Sequence, residues 1–277
     1  MAFLYNILDT ILPFSWLQYD FMKNSLIAIL LITPVLGLLS TLVVNNKMAF
    51  FADTLGHSAL AGIAVGAVCG LSNPRVSMVL LGIVFAILLV CAKSRNRAST
   101  DTTISVFSST ASALGIVLLS KGGAFAKYST YIVGDFLSIT EADLLLASVV
   151  FVIAILFWIF LFNRVCAVSV NPTLAKSLGI NVKLAEMLFA ALLAFVVAIS
   201  ISWVGILIIT SLLTLPAATA RNVTQGIKSY TWLSVILSLV CGTLGLILSF
   251  YIDSATGATI VLHLAVCYFI SLIFSRK

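Results

Sequence analysis

Asp53 and His57 stand four positions apart within the apolar stretch Phe51-Ala52-Asp53-Thr54-Leu55-Gly56-His57-Ser58-Ala59-Leu60-Ala61-Gly62. On a helix this spacing puts both side chains on one face, one turn apart. A carboxylate oxygen and an imidazole nitrogen so placed can reach a single divalent ion, and the mixed oxygen and nitrogen donor set suits zinc or manganese. With the imidazole neutral the pair carries one negative charge, which favours a cation over an empty site. A carboxylate at the centre of a membrane helix costs about 2.5 to 3.5 kcal/mol on insertion scales, so its presence calls for a reason. The competing reason is mechanical: the two groups bond to each other and to neighbouring helices as interhelical glue. Two side chains do not complete a coordination shell, so other helices, water or a second copy of the chain must contribute. His263, in the last apolar stretch, is a further candidate for the metal pathway, although an imidazole bonded to a backbone carbonyl explains it as well. Glu186 is expected to pair with Lys183 or reach water, and Asp101, Glu141 and Asp143 read as helix-start charges.

The element that carries Asp53 and His57 is rich in small residues, with Gly56, Ala59, Ala61, Gly62, Ala64, Gly66 and Ala67 all able to let neighbouring helices come close. Such a helix belongs in the interior of a bundle. The whole chain supports that setting: 277 residues, 62% hydrophobic, 9% charged, with a mean hydropathy of +1.22, make the membrane the solvent. Apolar windows near 24–44, 48–70, 76–92, 102–120, 143–162, 184–201, 203–221, 232–252 and 256–274 predict an all-α, polytopic membrane protein. The pair meeting at Ile201-Ser202-Trp203-Val204-Gly205 is short, and one broken helix can replace it, so eight or nine spans are expected.

Residues 23–277 form one membrane domain in this reading, preceded by an N-terminal interfacial segment, 1–22, in which Phe3 to Leu17 is helical and Trp16 and Tyr19 sit at headgroup depth. Asp9, Pro13 and Gln18 interrupt any cleavable signal pattern. The net charge of +6 is explained by topology rather than by nucleic acid. Lys47, Lys93, Arg95, Arg97, Arg164, Lys176, Lys183, Arg221, Lys228, Arg276 and Lys277 fall on one side, and only Lys23, Arg75, Lys121 and Lys127 on the other. That bias places the first side and the C-terminus in the cytoplasm, and makes 121–141 face outward. The outward stretch Gly134 to Thr140 is mixed in polarity and reads as a re-entrant or interfacial piece. The five cysteines are scattered singly, which indicates neither a disulfide framework nor a thiolate cage.

A second signature lies in the cytoplasmic segment of about 163–183. Asn171 and Pro172 start a short helix, and Gly179 stops it after about two turns. An amphipathic helix lying along the membrane is a suitable docking knob, and an ordinary interhelical loop fits the pattern equally. No phosphate-binding loop of the form G-x-x-x-x-G-K-[ST] occurs, so the chain does not use ATP in the P-loop manner, and no activated nucleophile marks it as a hydrolase.

The stretch FADTLGHSALAGIAVG, Phe51 to Gly66, resembles the second-helix signature of the permease subunits of ABC-type zinc and manganese importers. Trp203 to Asn222 and Gly245 to Val261 resemble two further segments of that family, Tyr131 to Leu144 and Leu174 to Asn181 fit in order and spacing, and the likeness runs from about Ser25 to Ser271. The resemblance implies a homodimer of permeases, separate cytoplasmic ATP-binding subunits, and an extracytoplasmic metal-binding protein that delivers the ion. It makes Asp53 and His57 pathway residues for a transported Zn2+ or Mn2+, with zinc favoured, no permanently bound cofactor, and ATP held on the partner. It places ATPase coupling on Asn171, Pro172, Leu174, Ala175, Lys176, Leu178 and Gly179. Gly56, Gly62, Gly66 and Pro216 are expected as helix-packing positions. Asn171 stands where the family commonly has Asp, and His263 is outside its pattern. The alternatives from other classes are an ion-coupled secondary metal transporter working without an ATPase, and an intramembrane metalloenzyme for which only His263 is left as a third ligand.

Overall fold

The computed structural model describes residues 15–71, 73–95, 99–121, 128, 131 and 134–274. After a 3-10 turn, Ser15–Gln18, come α1 (Asp20–Asn45), α2 (Ala49–Val68), α3 (Pro74–Arg95) and α4 (Thr100–Lys121). A second 3-10 turn, Phe136–Ser138, leads to α5 (Glu141–Val170), α6 (Pro172–Ser177) and α7 (Val182–Val204). The chain closes with α8 (Ile206–Leu212), α9 (Leu215–Val223), α10 (Ile227–Ile252) and α11 (Thr256–Ile273). Among the described residues no strand is present, and eight helices are long and apolar enough to cross a membrane.

The expected span at 203–221 is a broken passage rather than a ninth continuous helix. Gly205, at φ +85°, ends α7 in a backbone conformation that other residues rarely adopt. Pro216 opens α9 and has no N–H to continue the ladder from α8. The broken stretch still links the two ends of the bundle. At one end Val204 and Gly205 pack on Gly134, and Ile208 packs on Gly257. At the other, the Ala217 amide donates to Ser40 Oγ at 3.2 Å, and Asn222 Nδ2 donates to Ser271 Oγ at 2.8 Å.

Lipid tails are as apolar as leucine, so helices are held by close packing and interhelical hydrogen bonds rather than by hydrophobic sorting. That is how this bundle is built. A Cβ at Gly62 of α2 would lie 2.7 Å from Met78 Cα of α3, and Gly66 is in direct contact with Ser77. Gly56 faces Ile206 of α8, and Gly115 of α4 lies against Leu60 and Ala61. Between α1 and α10, Ser234 Oγ donates to the Gly37 carbonyl at 2.8 Å, while Gly245 of α10 meets Ile260 of α11. Large side chains such as Leu145, Ile159 and Phe160 are left outside.

The non-helical stretch after Gly134 is satisfied by side chains of α1. Ser25 Oγ donates to the Phe136 carbonyl at 2.7 Å, and Asn24 Nδ2 to Ile139 at 3.1 Å. Irregular backbone is tolerated at such a level because protein groups, not lipid, surround it. The first 3-10 turn differs from expectation: Trp16 and Leu17 are buried, 4% and 1% exposed, in the main core, whereas Tyr19 is exposed. Folding back onto α1 covers more indole than a headgroup position does. Most of the expected interfacial helix, residues 3–14, lies outside the described residues.

Gly62→Val is expected to destabilise the protein by about 1–3 kcal/mol, because its branches meet the α3 backbone rather than a movable side chain. Gly226→Ala, where nothing lies within 4 Å, is the control. Unfolding of the two variants in detergent, side by side with wild type, checks the difference.

Candidate functional site

Asp53 and His57 interrupt an otherwise closed helix surface. From Phe51 to Ala64 of α2 every residue is buried except these two, whose side chains are 46% and 31% exposed. Asp53 Oδ2 and His57 Nε2 are 3.6 Å apart, beyond hydrogen-bond reach. Among the described residues neither forms a hydrogen bond, so the competing reading as interhelical glue has no hydrogen-bond partner there. The geometry leaves a carboxylate and an imidazole side by side with their lone pairs free.

Neighbouring helices define the opening. Gly56 contacts α8, whereas Thr54 Oγ1 donates to the Ile104 carbonyl of α4 at 3.4 Å and Ala61 contacts Gly115 of α4. At about 100° of rotation per residue, Asp53 and His57 point into the arc between α8 and α4. Leu60 and Ala64 continue the same arc and are 6% and 0% exposed. The pair is thus uncovered in the half of α2 nearer Lys47 and closed off beyond it.

Among the described residues no group of three or more His, Cys, Asp or Glu side chains is gathered. His263 is therefore not brought to Asp53 and His57; it sits half-buried on α11, with Nδ1 2.8 Å from the Thr259 carbonyl. Among the described residues, further donors to an ion at α2 are then hydroxyl or backbone oxygens, water, or groups of a second chain.

The segment after α5 folds as a capped short helix. Asn171 Oδ1 accepts from the Thr173 and Leu174 amides at 3.0 and 3.1 Å, and Pro172 takes the first turn, where its missing N–H is harmless. Gly179, at φ +77°, closes α6 as the Ile180 amide returns to the Ala175 carbonyl. Ala175 is buried against Val168 and Ala185, which turns Leu174 and Leu178 outward at 58% and 67% exposure, beside the exposed Lys176. Leu178 also borders a cleft of ≈300 Å³ lined by Arg164, Ile180 and Leu184. Of the packing positions, Gly56, Gly62 and Gly66 lie at the α2 contacts already described, and Pro216 is buried at the start of α9.

Two ion pairs were not legible in the sequence. Glu186 faces Lys93 of α3 at 3.9 Å rather than the expected Lys183, because α7 packs on α3 along this edge. Asp143 does cap α5, accepting from the Thr140 amide and hydroxyl, and it also meets Arg75 Nη1 at 2.6 Å. That pair pins the start of α3 to the start of α5. Its partners are far apart in sequence, so no local pattern points to it.

The profile of the ABC 3 transport family matches residues 18–275. The chain belongs to this family and is a multi-pass membrane transport subunit. Among its relatives is the high-affinity zinc uptake system membrane protein ZnuB of Haemophilus influenzae, 35% identical over 91% of this chain and 95% of that protein. The manganese import system permease protein ScaB of Streptococcus parasanguinis is 29% identical over 94% and 92%. The solved structure of PsaBC from Streptococcus pneumoniae in complex with Fab superposes with a TM-score of 0.81 at 26% identity, covering 100% of this chain and 97% of that one.

Arg75→Met leaves Asp143, whose side chain is 8% exposed, without its counter-charge. Because Arg75 is itself 30% exposed, the expected loss is about 1–3 kcal/mol, between the surface and buried limits. Asp101→Asn, at an exposed helix start, is expected to leave stability unchanged. Denaturant unfolding in nanodiscs distinguishes the two.

Proposed function

We propose that this chain is the membrane permease of an ATP-driven importer that carries a divalent transition metal ion, zinc in first place and manganese in second, across the bacterial cytoplasmic membrane. The observation that carries the reading is the Asp53–His57 pair, which makes no hydrogen bond among the described residues and is the one break in the buried 51–64 stretch of α2. Two such pairs, one from each copy of a homodimer, supply two carboxylate oxygens and two imidazole nitrogens, which is a four-donor set for zinc. The side chains face out of the single protomer, where a second copy can meet them. A shell divided between two subunits also gives a way to release the ion: when the copies move apart, the donor count halves.

The basic side of the chain is the cytoplasmic one in this reading, so α6 faces the cytoplasm with Leu174 and Leu178 presented to an ATP-binding subunit. An extracytoplasmic metal-binding protein delivers the ion to the opposite end. Alternating access follows: ATP binding and hydrolysis on the partner move α6, and with it α5 and α7, which flank it in the chain. The preference for zinc rests on the greater similarity to the zinc-uptake relative, 35% against 29% identity, and on the imidazole donors.

Radiolabelled zinc and manganese uptake by the complete assembly in vesicles tests the site. Asp53→Asn and His57→Ala are each expected to lower ATP-dependent zinc uptake by about tenfold or more at normal membrane abundance. Unchanged uptake in both variants removes them from the pathway. For the docking surface, Leu174→Glu with Leu178→Glu is expected to abolish co-purification of the ATP-binding subunit while the permease stays folded, as judged by gel filtration; retained co-purification rules out docking on α6.

A further inference from the structure

The opening beside Asp53 and His57 has a second wall. Along α4, Ser105, Ser108, Ser109 and Ser112 are exposed or half-exposed, and among the described residues none of their hydroxyls makes a hydrogen bond. Many hydroxyls elsewhere in the spans return to their own helix, as Thr33 does to Ile29, Thr54 to Phe50 and Ser148 to Leu144, although Ser200 Oγ and Thr231 Oγ1 are buried without a partner among the described residues. On α4 itself Thr110, on the far flank, donates to the Val106 carbonyl at 2.7 Å. Four hydroxyls with no internal partner make this flank a better match to water or an ion than to lipid.

Helix geometry puts that flank on the same side as the polar pair. The contacts Thr54 with Ile104, and then Ala61 with Gly115, show α2 and α4 running side by side in the same direction. Viewed from the Lys47 end, with α4 to the right of α2, successive residues turn clockwise by about 100°. Asp53 and His57 lie anticlockwise of the contact line on α2, and Ser105, Ser108 and Ser112 clockwise of it on α4. Both sets therefore turn to one side, with His57 leaning toward α4. The flank turns apolar at Ile116, next to Gly115, which covers Leu60, so the two polar walls also end together.

We propose that Ser105, Ser108 and Ser112 form the oxygen wall of the route taken by a hydrated divalent cation to and from Asp53 and His57, their hydroxyls exchanging with its hydration waters. This rests on the reading of Asp53 and His57 as the transit pair. Neutral hydroxyl oxygens suit passage because they replace water without holding the ion as carboxylates do. The spacing of 105, 108 and 112 spreads them over about 10 Å of helix, longer than one coordination sphere, so they act in succession.

The test uses single cysteines placed by Ser105→Cys, Ser108→Cys and Ser112→Cys, with Val106→Cys and Val117→Cys on the opposite flank. The background has the five natural cysteines replaced and retains ATP-dependent zinc uptake. The complete assembly in nanodiscs is treated with a charged methanethiosulfonate reagent, with and without zinc. Cysteines at 105, 108 and 112 are expected to react several times faster than those at 106 and 117, and zinc is expected to slow them. In vesicles, the triple Ser→Ala variant at 105, 108 and 112 is expected to lower the zinc uptake rate several-fold at normal abundance, with Val106→Ala unaffected. Equally slow labelling on both flanks means a dry flank, packed by lipid or by a second copy, and overturns the wall. So does full uptake by the triple alanine variant. Asp53→Asn run alongside separates the two ideas: if it is inactive while the labelling contrast is missing, only the wall fails, and if it transports normally, the transit reading fails and takes the wall with it.

Discussion

The approach of α2 to α3 at Gly62 and Gly66 is the contact on which the rest of the arrangement depends. In a bilayer nothing but packing and hydrogen bonding holds helices against each other, and side chains of zero or one carbon on α2 let the backbones touch. With α3 on one side, α4 on another and α8 at Gly56, the 51–64 stretch of α2 is enclosed apart from Asp53 and His57. The charged group of Asp53 then has one direction left, the arc between α8 and α4. Tight packing on three sides and polarity on the fourth are two consequences of one sequence pattern.

That constraint also explains why the 206–223 stretch is broken. A continuous helix after α7 would run on past Gly205 and leave the space beside α2 differently filled. Reversal at Gly205 and the restart at Pro216 instead bring Ile206 onto Gly56 and Ala217 onto Ser40. The irregular backbone persists because neighbouring helices satisfy it, as they do for 134–140 through Ser25 and Asn24. Membrane proteins place such pieces where protein, not lipid, surrounds them, and here the one that starts at Ile206 borders the helix that carries the polar pair.

Rigid and presentational parts of the molecule are also separated. The Arg75–Asp143 pair and the Thr140 cap fasten α3 to α5 at one end. At the other, α6 rests on a small apolar patch of Val168, Ala175 and Ala185 and carries its leucines outward. A small patch lets the short helix shift relative to the bundle more readily than a large core does, in keeping with the coupling role proposed for it.

Much of this was legible in the residues themselves. Composition and apolar window length are local properties, so the all-α membrane character and the eight long helices follow from them, as does the shared face of Asp53 and His57 from their spacing. The capped helix at Asn171-Pro172 and its stop at Gly179 are local chemistry too. What no local pattern contains is which faces meet. The pairing of Glu186 with Lys93, the burial of Trp16, the contact of Arg75 with Asp143 and the serine flank of α4 turning to the side of Asp53 all depend on the rotation and crossing of helices distant in sequence. Sequence determined the elements and the polar pair, because helix formation and spacing need only neighbours along the chain; tertiary structure decided what surrounds that pair, because in lipid the relative rotation of helices is set by steric fit between partners.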